Sequence, residues 1–323
     1  MKKFICLVLA AIQSLSVLVS CAQEPSPDTV RVFTLKGPTG IGMAKMISDA
    51  KNSEDPLYDF TIASAPDVIQ AEIIKGEYEI AALPTNLAAA LYNKTEGALM
   101  VAAVNTLGVL YVLENGNTIQ SIQDLNGKQI YATGQGSTPE YILNYILETN
   151  GIDCEVIYLT EHAELATQMA AGSVTLGMLP VPNSTTVLTK NADVRVALNL
   201  TDEWEKAAAK NGDDGALYQG CLVIRRDFAE QYPETVKKFL EEYKASVAFV
   251  HEDLDLAAET IAACEIIPAA AIAKKAIPDA NIVCITGDEM IKGLTGFYKV
   301  LFDSNPKSVG GKLPDEKIFY AEN

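Results

Sequence analysis

The chain has 323 residues, 42 of them acidic against 25 basic, with a net charge of −17 and 49% hydrophobic residues. That length supports two cores, and that acidity disfavours nucleic acid and anionic lipid surfaces as partners. Residues 1–20 read as an export signal, with Lys2 and Lys3 ahead of a mostly apolar stretch over 4–19 that is too short and too interrupted to span a bilayer. The signal ends Leu18-Val19-Ser20-Cys21. A cysteine behind a small residue, with leucine three before it, is the pattern at which lipid is attached, so Cys21 is the expected lipidation site and 21–29 the tether. No later segment is long and apolar enough to cross a membrane.

The body then alternates strands and helices. Short apolar runs bounded by turn residues predict strands over 30–35, 59–63, 79–83 and 98–104, with helices over 41–49, 67–75 and 87–93 between them. Val109-Leu110-Tyr111-Val112-Leu113 is a continuous apolar strand and reads as a crossing into a second lobe. That lobe has strands at 129–132, 155–159, 174–179 and 194–198, and helices at 139–148, 163–171 and 185–189. The helix from Pro139 carries a start signal, with Ser137 or Thr138 as cap and Glu140 three residues after Ser137 as in a capping box. Cys221-Leu222-Val223-Ile224 reads as the return crossing, and 109–113 and 221–224 are the expected hinges. Helices over 233–251, 254–264, 269–276 and 289–302 follow, then an irregular tail from 305. Strands alternating with helices predict an α/β fold of two lobes, each a mostly parallel sheet covered by helices: lobe I from 30–108 and 219–323, lobe II from 109–218.

The two lobes read as copies. Gly76-Glu77-Tyr78-Glu79-Ile80-Ala81-Ala82-Leu83-Pro84 recurs without a gap as Gly172-Ser173-Val174-Thr175-Leu176-Gly177-Met178-Leu179-Pro180, 96 positions later. The strand over 30–35 ends at Gly37-Pro38-Thr39-Gly40, and the strand over 129–132 ends at Gly134-Gln135-Gly136-Ser137, at an offset of 97. Both matched sites are strand-to-helix loops, where open α/β sheets bind ligands. If the lobes face each other, these loops line a cleft between them.

Gly37, Pro38, Thr39 and Gly40, and Thr133, Gly134, Gln135, Gly136, Ser137 and Thr138, each precede a helix, where free N–H groups and the helix dipole hold an oxyanion or a polar group. Ordinary turn and cap chemistry explains a lone loop of this kind equally well. Pro84-Thr85-Asn86 and Pro180-Val181-Pro182-Asn183 hold equivalent places in the two copies; Thr85 and Asn86 are candidate ligand contacts, Thr85 also a candidate N-cap. Ser64 and Asn105-Thr106 complete the cleft edge, as contacts or as turn elements. Lys36 is the nearest cation. Glu161-His162 reads as a solvated helix start, since two histidines (His162 and His251) are too few for a metal site. Trp204 and Tyr218 are packing residues or ring-stacking ones. Cys154, Cys221, Cys264 and Cys284 form no close pair, so no zinc site is expected; Cys264 and Cys284 are free or bridged.

The lipid-attachment pattern, Gly134-Gln135-Gly136-Ser137-Thr138-Pro139-Glu140-Tyr141, Glu161-His162-Ala163-Glu164-Leu165, Leu179-Pro180-Val181-Pro182 and the stretch 228–240 together resemble the type II solute-binding lipoproteins of ABC importers, in the nitrate, sulfonate, taurine and thiamine-precursor-like group. The resemblance implies a monomer with no cofactor, whose two lobes close on a small polar solute and pass it to an integral-membrane permease. At Val181 and Pro182 that group often carries a charged or aromatic residue, and here the pair is apolar. Two other readings stay open: an exported receptor serving a sensor or another transporter class, and an enzyme of the related thiamine-pyrimidine and menaquinone synthesis folds.

Overall fold

Runs such as Val30-Arg31-Val32-Phe33 and Ile80-Ala81-Ala82-Leu83 lack helical periodicity and become strands buried between helices. The structure is a computed structural model and describes residues 26–64, 70–213 and 215–321. The export signal, Cys21, most of the tether and the start of the helix expected from 67 lie outside them.

In the first half come β1 (Val30–Leu35), α1 (Pro38–Ile41), α2 (Ala44–Asn52), β2 (Tyr58–Ala63), α3 (Gln70–Lys75), β3 (Ile80–Pro84), α4 (Thr85–Lys94) and β4 (Leu99–Thr106). The second half begins with β5 (Leu110–Asn115), then β6 (Gln129–Thr133), α5 (Thr138–Asn150), β7 (Glu155–Leu159), α6 (His162–Ala170), β8 (Leu176–Pro180), α7 (Asn183–Lys190), β9 (Val194–Asn199) and α8 (Leu200–Asn211). The chain returns on β10 (Gly220–Arg225) and ends with α9 (Arg226–Gln231), α10 (Pro233–Glu252), α11 (Leu254–Ala263), α12 (Ala270–Ala276), β11 (Ile282–Ile285) and α13 (Gly287–Ser304).

These strands form two sheets, ordered β11-β4-β10-β3-β1-β2 and β7-β6-β8-β5-β9. Apart from the extra strand β11, the orders are the same: β2-β1-β3-β10-β4 matches β7-β6-β8-β5-β9. The recurring stretch accounts for this, since β3 at Ile80–Pro84 and β8 at Leu176–Pro180 lie 96 positions apart. The expectation of mostly parallel sheets needs amending. β1 pairs in parallel with β2 and β3, and β6 with β7 and β8, but β10 runs antiparallel to β3 and β4, and β5 antiparallel to β8 and β9. The sheets are therefore mixed. The cause is topological. The chain leaves each lobe at the end where its strands point, so a strand reached directly across that gap must run back the other way.

That arrangement also relocates the expected hinges. Within 109–113 and 221–224, strands β5 and β10 are interior, hydrogen-bonded along both edges. The segments that cross are, among the described residues, 107–109 and then 212–213 and 215–219, just ahead of them. Gln219 stitches the two crossings together, its N–H donating to the Thr106 carbonyl at 3.0 Å and its side-chain oxygen accepting from the Val109 N–H at 2.6 Å.

Other differences are local. The helix expected over 41–49 breaks into α1 and α2 around Gly42 and Met43. α8, α9 and β11 were not anticipated. The irregular tail contains two 3-10 turns, Pro306–Val309 and Glu316–Ile318, and Phe319 bridges to Val101 of β4. Cys154, Cys221, Cys264 and Cys284 are free thiols. One apolar cluster runs from Phe33 and Leu83 in the first sheet through Phe297 and Trp204 to Ile130 of β6 and Ile146 of α5, so the lobes share packed core on one side.

Buried Glu114 on β5 shapes the turn after it. Its carboxylate accepts from the Thr118 N–H and hydroxyl (2.7 and 2.6 Å), from the Ile119 N–H (3.2 Å) and from Arg195 Nη2 on β9 (2.6 Å). Burial alone would raise its pKa, but these bonds outweigh it and hold the group below the usual carboxylate range. Such a carboxylate stabilises the fold above its unfolded pKa, and the contribution is lost as pH falls through the lower folded value. Glu114→Gln is expected to cost about 2 kcal/mol at neutral pH. In urea denaturation the gap to the parent protein should narrow as pH drops below about 4; a gap independent of pH would refute the assignment.

Candidate functional site

β1, β3, β6 and β8 all end on one gap between the sheets, as expected for the carboxyl ends of strands in α/β folds. The gap is a cleft of about 440 Å³, within the range for small-molecule sites. Both halves of the chain line it.

Of the cleft residues singled out in the sequence, Gly37, Pro38, Thr39, Ser64, Ser137, Thr138, Pro180, Val181 and Pro182 lie on its wall, as do Lys36, Pro84, Thr106 and Asn183. The others stand behind it or beside it, already engaged. Gly40 is buried beneath the Leu35 carbonyl and donates its N–H to Gly37. Thr85 donates its hydroxyl to the Tyr218 carbonyl at 2.6 Å and its N–H to the Gln219 carbonyl at 3.1 Å. Asn105 donates to the Thr39 carbonyl at 3.4 Å and accepts from Thr106. Thr133 bonds the His162 ring, and Gly134, Gln135 and Gly136 form the loop leading to Ser137. Asn86 accepts from the Thr138 hydroxyl at 2.5 Å, a bond from one lobe to the other.

Four helices, α1, α5, α6 and α7, begin at this wall: Pro38, Thr138, His162 and Asn183 all line it. None has a side-chain cap on its first N–H groups. At α5 the expected capping box is displaced. The Ser137 hydroxyl turns back to the Gly134 carbonyl at 2.9 Å, and Glu140 accepts from the Gly136 N–H instead. Uncapped starts leave donors and the positive ends of the dipoles directed at the gap, which suits an anion. Missing caps are not peculiar to the cleft: α8 and α11 are capped by Asn199 and Asp253, but α2, α9, α10 and α13, which also begin away from it, have no side-chain cap, so it is the convergence of starts that marks this wall. Gly37 makes the close approach workable. Its φ of 85° and ψ of −153° lie in a region essentially reserved for glycine, and its α-carbon faces Pro182 of the other lobe.

Several wall residues were missed or misread. Ile266 and Pro268 come from the loop after α11, and Ile266 accepts the Gly37 N–H at 3.1 Å. Gln219 lines the cleft, and because its oxygen accepts from Val109, its NH₂ is the end left to donate. His162 is not a solvated helix start. It lines the cleft with Nδ1 2.5 Å from the Thr133 hydroxyl. Burial holds its pKa below the usual histidine value against the opposing pull of Glu161. Lys36 and Glu161 are the charged residues among the described lining, and the His162 imidazole is the one aromatic ring in it, with no Phe, Tyr or Trp. Trp204 and Tyr218 pack on Phe297 at 5.4 and 6.2 Å, outside the wall, so theirs is the packing role.

The lobes also touch around the cleft. Tyr111 donates to the Asp279 carbonyl (3.2 Å) and Lys275 to the Thr189 hydroxyl (3.4 Å), while Asn281 ties the crossing segment to lobe I through the Gly108 carbonyl (2.5 Å). Together with the Thr138–Asn86 bond they hold the two halves close.

A family model described as NMT1/THI5 like matches residues 78–257, more than half of the chain. The chain belongs to this family. No curated protein has a matching sequence. Solved structures match over nearly all of this NMT1/THI5-like chain. An ABC transporter from Parabacteroides distasonis is 23% identical, with a TM-score of 0.76 over 92% of this chain and 100% of its own. The periplasmic aliphatic sulphonate binding protein SsuA of Escherichia coli is 17% identical, with a TM-score of 0.72 over 92% and 94%. The periplasmic nitrate-binding protein NrtA of Synechocystis is 11% identical, with a TM-score of 0.56 over 80% and 70%. At these identities the likeness is one of fold: two mixed α/β sheets of the type II periplasmic-binding-protein kind. No helix among the described residues is long and apolar enough to cross a membrane.

Proposed function

We propose that this NMT1/THI5-like chain is the solute receptor of an ABC importer. It is exported, anchored by lipid on Cys21, and works as a monomer. It captures a small oxyanion, an alkanesulfonate or taurine with its short aliphatic body or the bare nitrate ion, between lobe I (30–108 and 219–323) and lobe II (109–218), and delivers it to a permease. The observation that carries this reading is the convergence of three uncapped helix starts, those of α5, α6 and α7, on one two-lobed cleft. Leu35, Val109, Leu110, Val181 and Ile266 offer apolar surface for the body of the solute. A pyrimidine is less well served, since the described wall offers it no Phe, Tyr or Trp face, and the His162 imidazole is the one ring it could stack on. Catalysis is disfavoured by the same wall, where Glu161 is the sole described carboxylate. The sulphonate- and nitrate-binding neighbours agree with this choice. The lobes turn about 107–109, 212–213 and 215–219, and a solute bridging both walls favours the closed form through contacts the open form lacks.

A thermal-shift series with ethanesulfonate, taurine, nitrate and an aminopyrimidine tests the reading. A solute at a hundred times its Kd should stabilise the native state by about 2.7 kcal/mol. One or more of the anions should raise the melting temperature and the pyrimidine should not. A shift from the pyrimidine alone would overturn the choice of solute.

A further inference from the structure

His162 is placed to do more than complete the wall. Its Nδ1 is tied to Thr133, which is buried, while the ring itself lines the cleft and Nε2 has no protein partner among the described residues. A hydroxyl can donate or accept. Thr133 can therefore donate to the neutral ring or accept from the protonated one, so gaining a proton costs His162 no hydrogen bond. In either state Nε2 is left carrying a hydrogen toward the cleft.

Resting on the anion reading above, we infer that His162 is a proton-coupled contact for the solute: neutral in the empty cleft, it takes a proton from solvent as an anion binds and holds that anion through Nε2–H. The balance is simple. One proton moves from solvent to the imidazole, the solute keeps its charge, and no covalent bond of the solute changes.

The surroundings support such a switch. In the empty cleft burial disfavours the imidazolium, and Glu161, adjacent in sequence and on the same wall, opposes that only in part. Lys36 lines the cleft from the other lobe, so it draws the same anion. The titratable residues on the elements packed against α6 are Tyr131 on β6, Glu155 and Tyr158 on β7 and Lys190 on α7, with Glu164 on α6 itself; none acts on His162 as Glu161 does. An anion within contact distance raises a histidine pKa by about one unit or more. Protons are then taken up on binding, and affinity falls as pH rises from the empty-cleft midpoint to that of the complex.

With two histidines in the sequence, His162→Gln identifies their ring signals in spectra of the labelled full chain. Without solute, His162 should titrate below about 6.5, and saturating ethanesulfonate should raise its midpoint. By calorimetry, ethanesulfonate or nitrate should bind about tenfold more tightly at pH ~5.5 than at pH ~7.5, with proton uptake in the parent protein and a flat profile in His162→Gln. A solute-free midpoint at or above the ordinary value would overturn the inference, as would an unchanged pH profile in His162→Gln. An anion that binds with one affinity across the range would sink this inference alone; failure of both anions to bind at any pH would sink it together with the anion reading.

Discussion

Gly40→Ala should weaken solute binding about a hundredfold and lower the melting temperature while leaving the secondary structure intact. A Cβ at Gly40 would lie 2.2 Å from the Leu35 carbonyl oxygen and 3.3 Å from a methyl of Ile266. The first contact decides the outcome. Leu35 is the last residue of β1, pairs with Ala63 of β2, and is backbone rather than a flexible side-chain tip. The strand is anchored along both edges, so the element that yields is the short helix α1. Moving α1 carries Pro38 and Thr39 out of register with the wall and breaks the Gly40 N–H bond to Gly37. Overpacking of this kind costs about 1–3 kcal/mol, small enough for the chain to fold. The loss in binding should match or approach that in stability, since a displacement near 1 Å at a positioning loop can cost about a hundredfold. Circular dichroism, a melting curve and the thermal-shift series together check the result. A variant that melts as the parent does and still responds to the anions would show that α1 does not shape the site.

The contrast between Gly40 and Gly37 shows what the sequence made visible. Both were singled out because a glycine-rich loop between a strand and a helix permits close approach. Gly37 lines the cleft, whereas Gly40 supports it from below. The repeat at 96 positions reached further, since local patterns of turn and strand survive duplication and β3 and β8 fall on it to the residue. What stayed hidden was non-local. Ile266 reaches the cleft through a backbone bond to a residue far away in sequence. His162 is half-buried on the cleft wall, a placement that its neighbours along the chain do not reveal. β11 is a four-residue edge strand whose partner, β4, is remote. α8 was a different kind of omission. Its signals were present, with Asn199 capping one end and Gly212 left-handed at the other. Its buried stripe of Leu200, Trp204, Ala207 and Ala208 has helical spacing, but half of it is alanine and the apolar pattern is faint.

Trp204, on that same α8, carries the second large effect. It is 1% exposed, with its ring 4.6 Å from Tyr145 of α5 and 5.4 Å from Phe297 of α13. α5 and α8 belong to the second lobe, whereas α13 packs on β4 and α4 of the first and also on α5. Trp204 is therefore a rivet between lobes as well as a core residue of one. Trp204→Ala should cost about 3–5 kcal/mol, the range for deleting a large aromatic side chain from a close-packed core. The indole Nε1 has no protein partner, so almost all of that loss is packing rather than hydrogen bonding. Trp204→Phe separates the two terms. It keeps a ring between Tyr145 and Phe297, removes an unpaired buried donor, and should recover more than half of the stability lost by alanine. The readout is urea denaturation followed by circular dichroism, because the chain contains a single tryptophan and the variants lose its fluorescence. Since the apolar cluster is continuous across the seam, the parent chain should unfold in one transition, and alanine should split it or lower its cooperativity by letting one lobe melt ahead of the other. A loss below about 1 kcal/mol, typical of a surface position, with an unchanged single transition, would mean that the lobes do not depend on this seam.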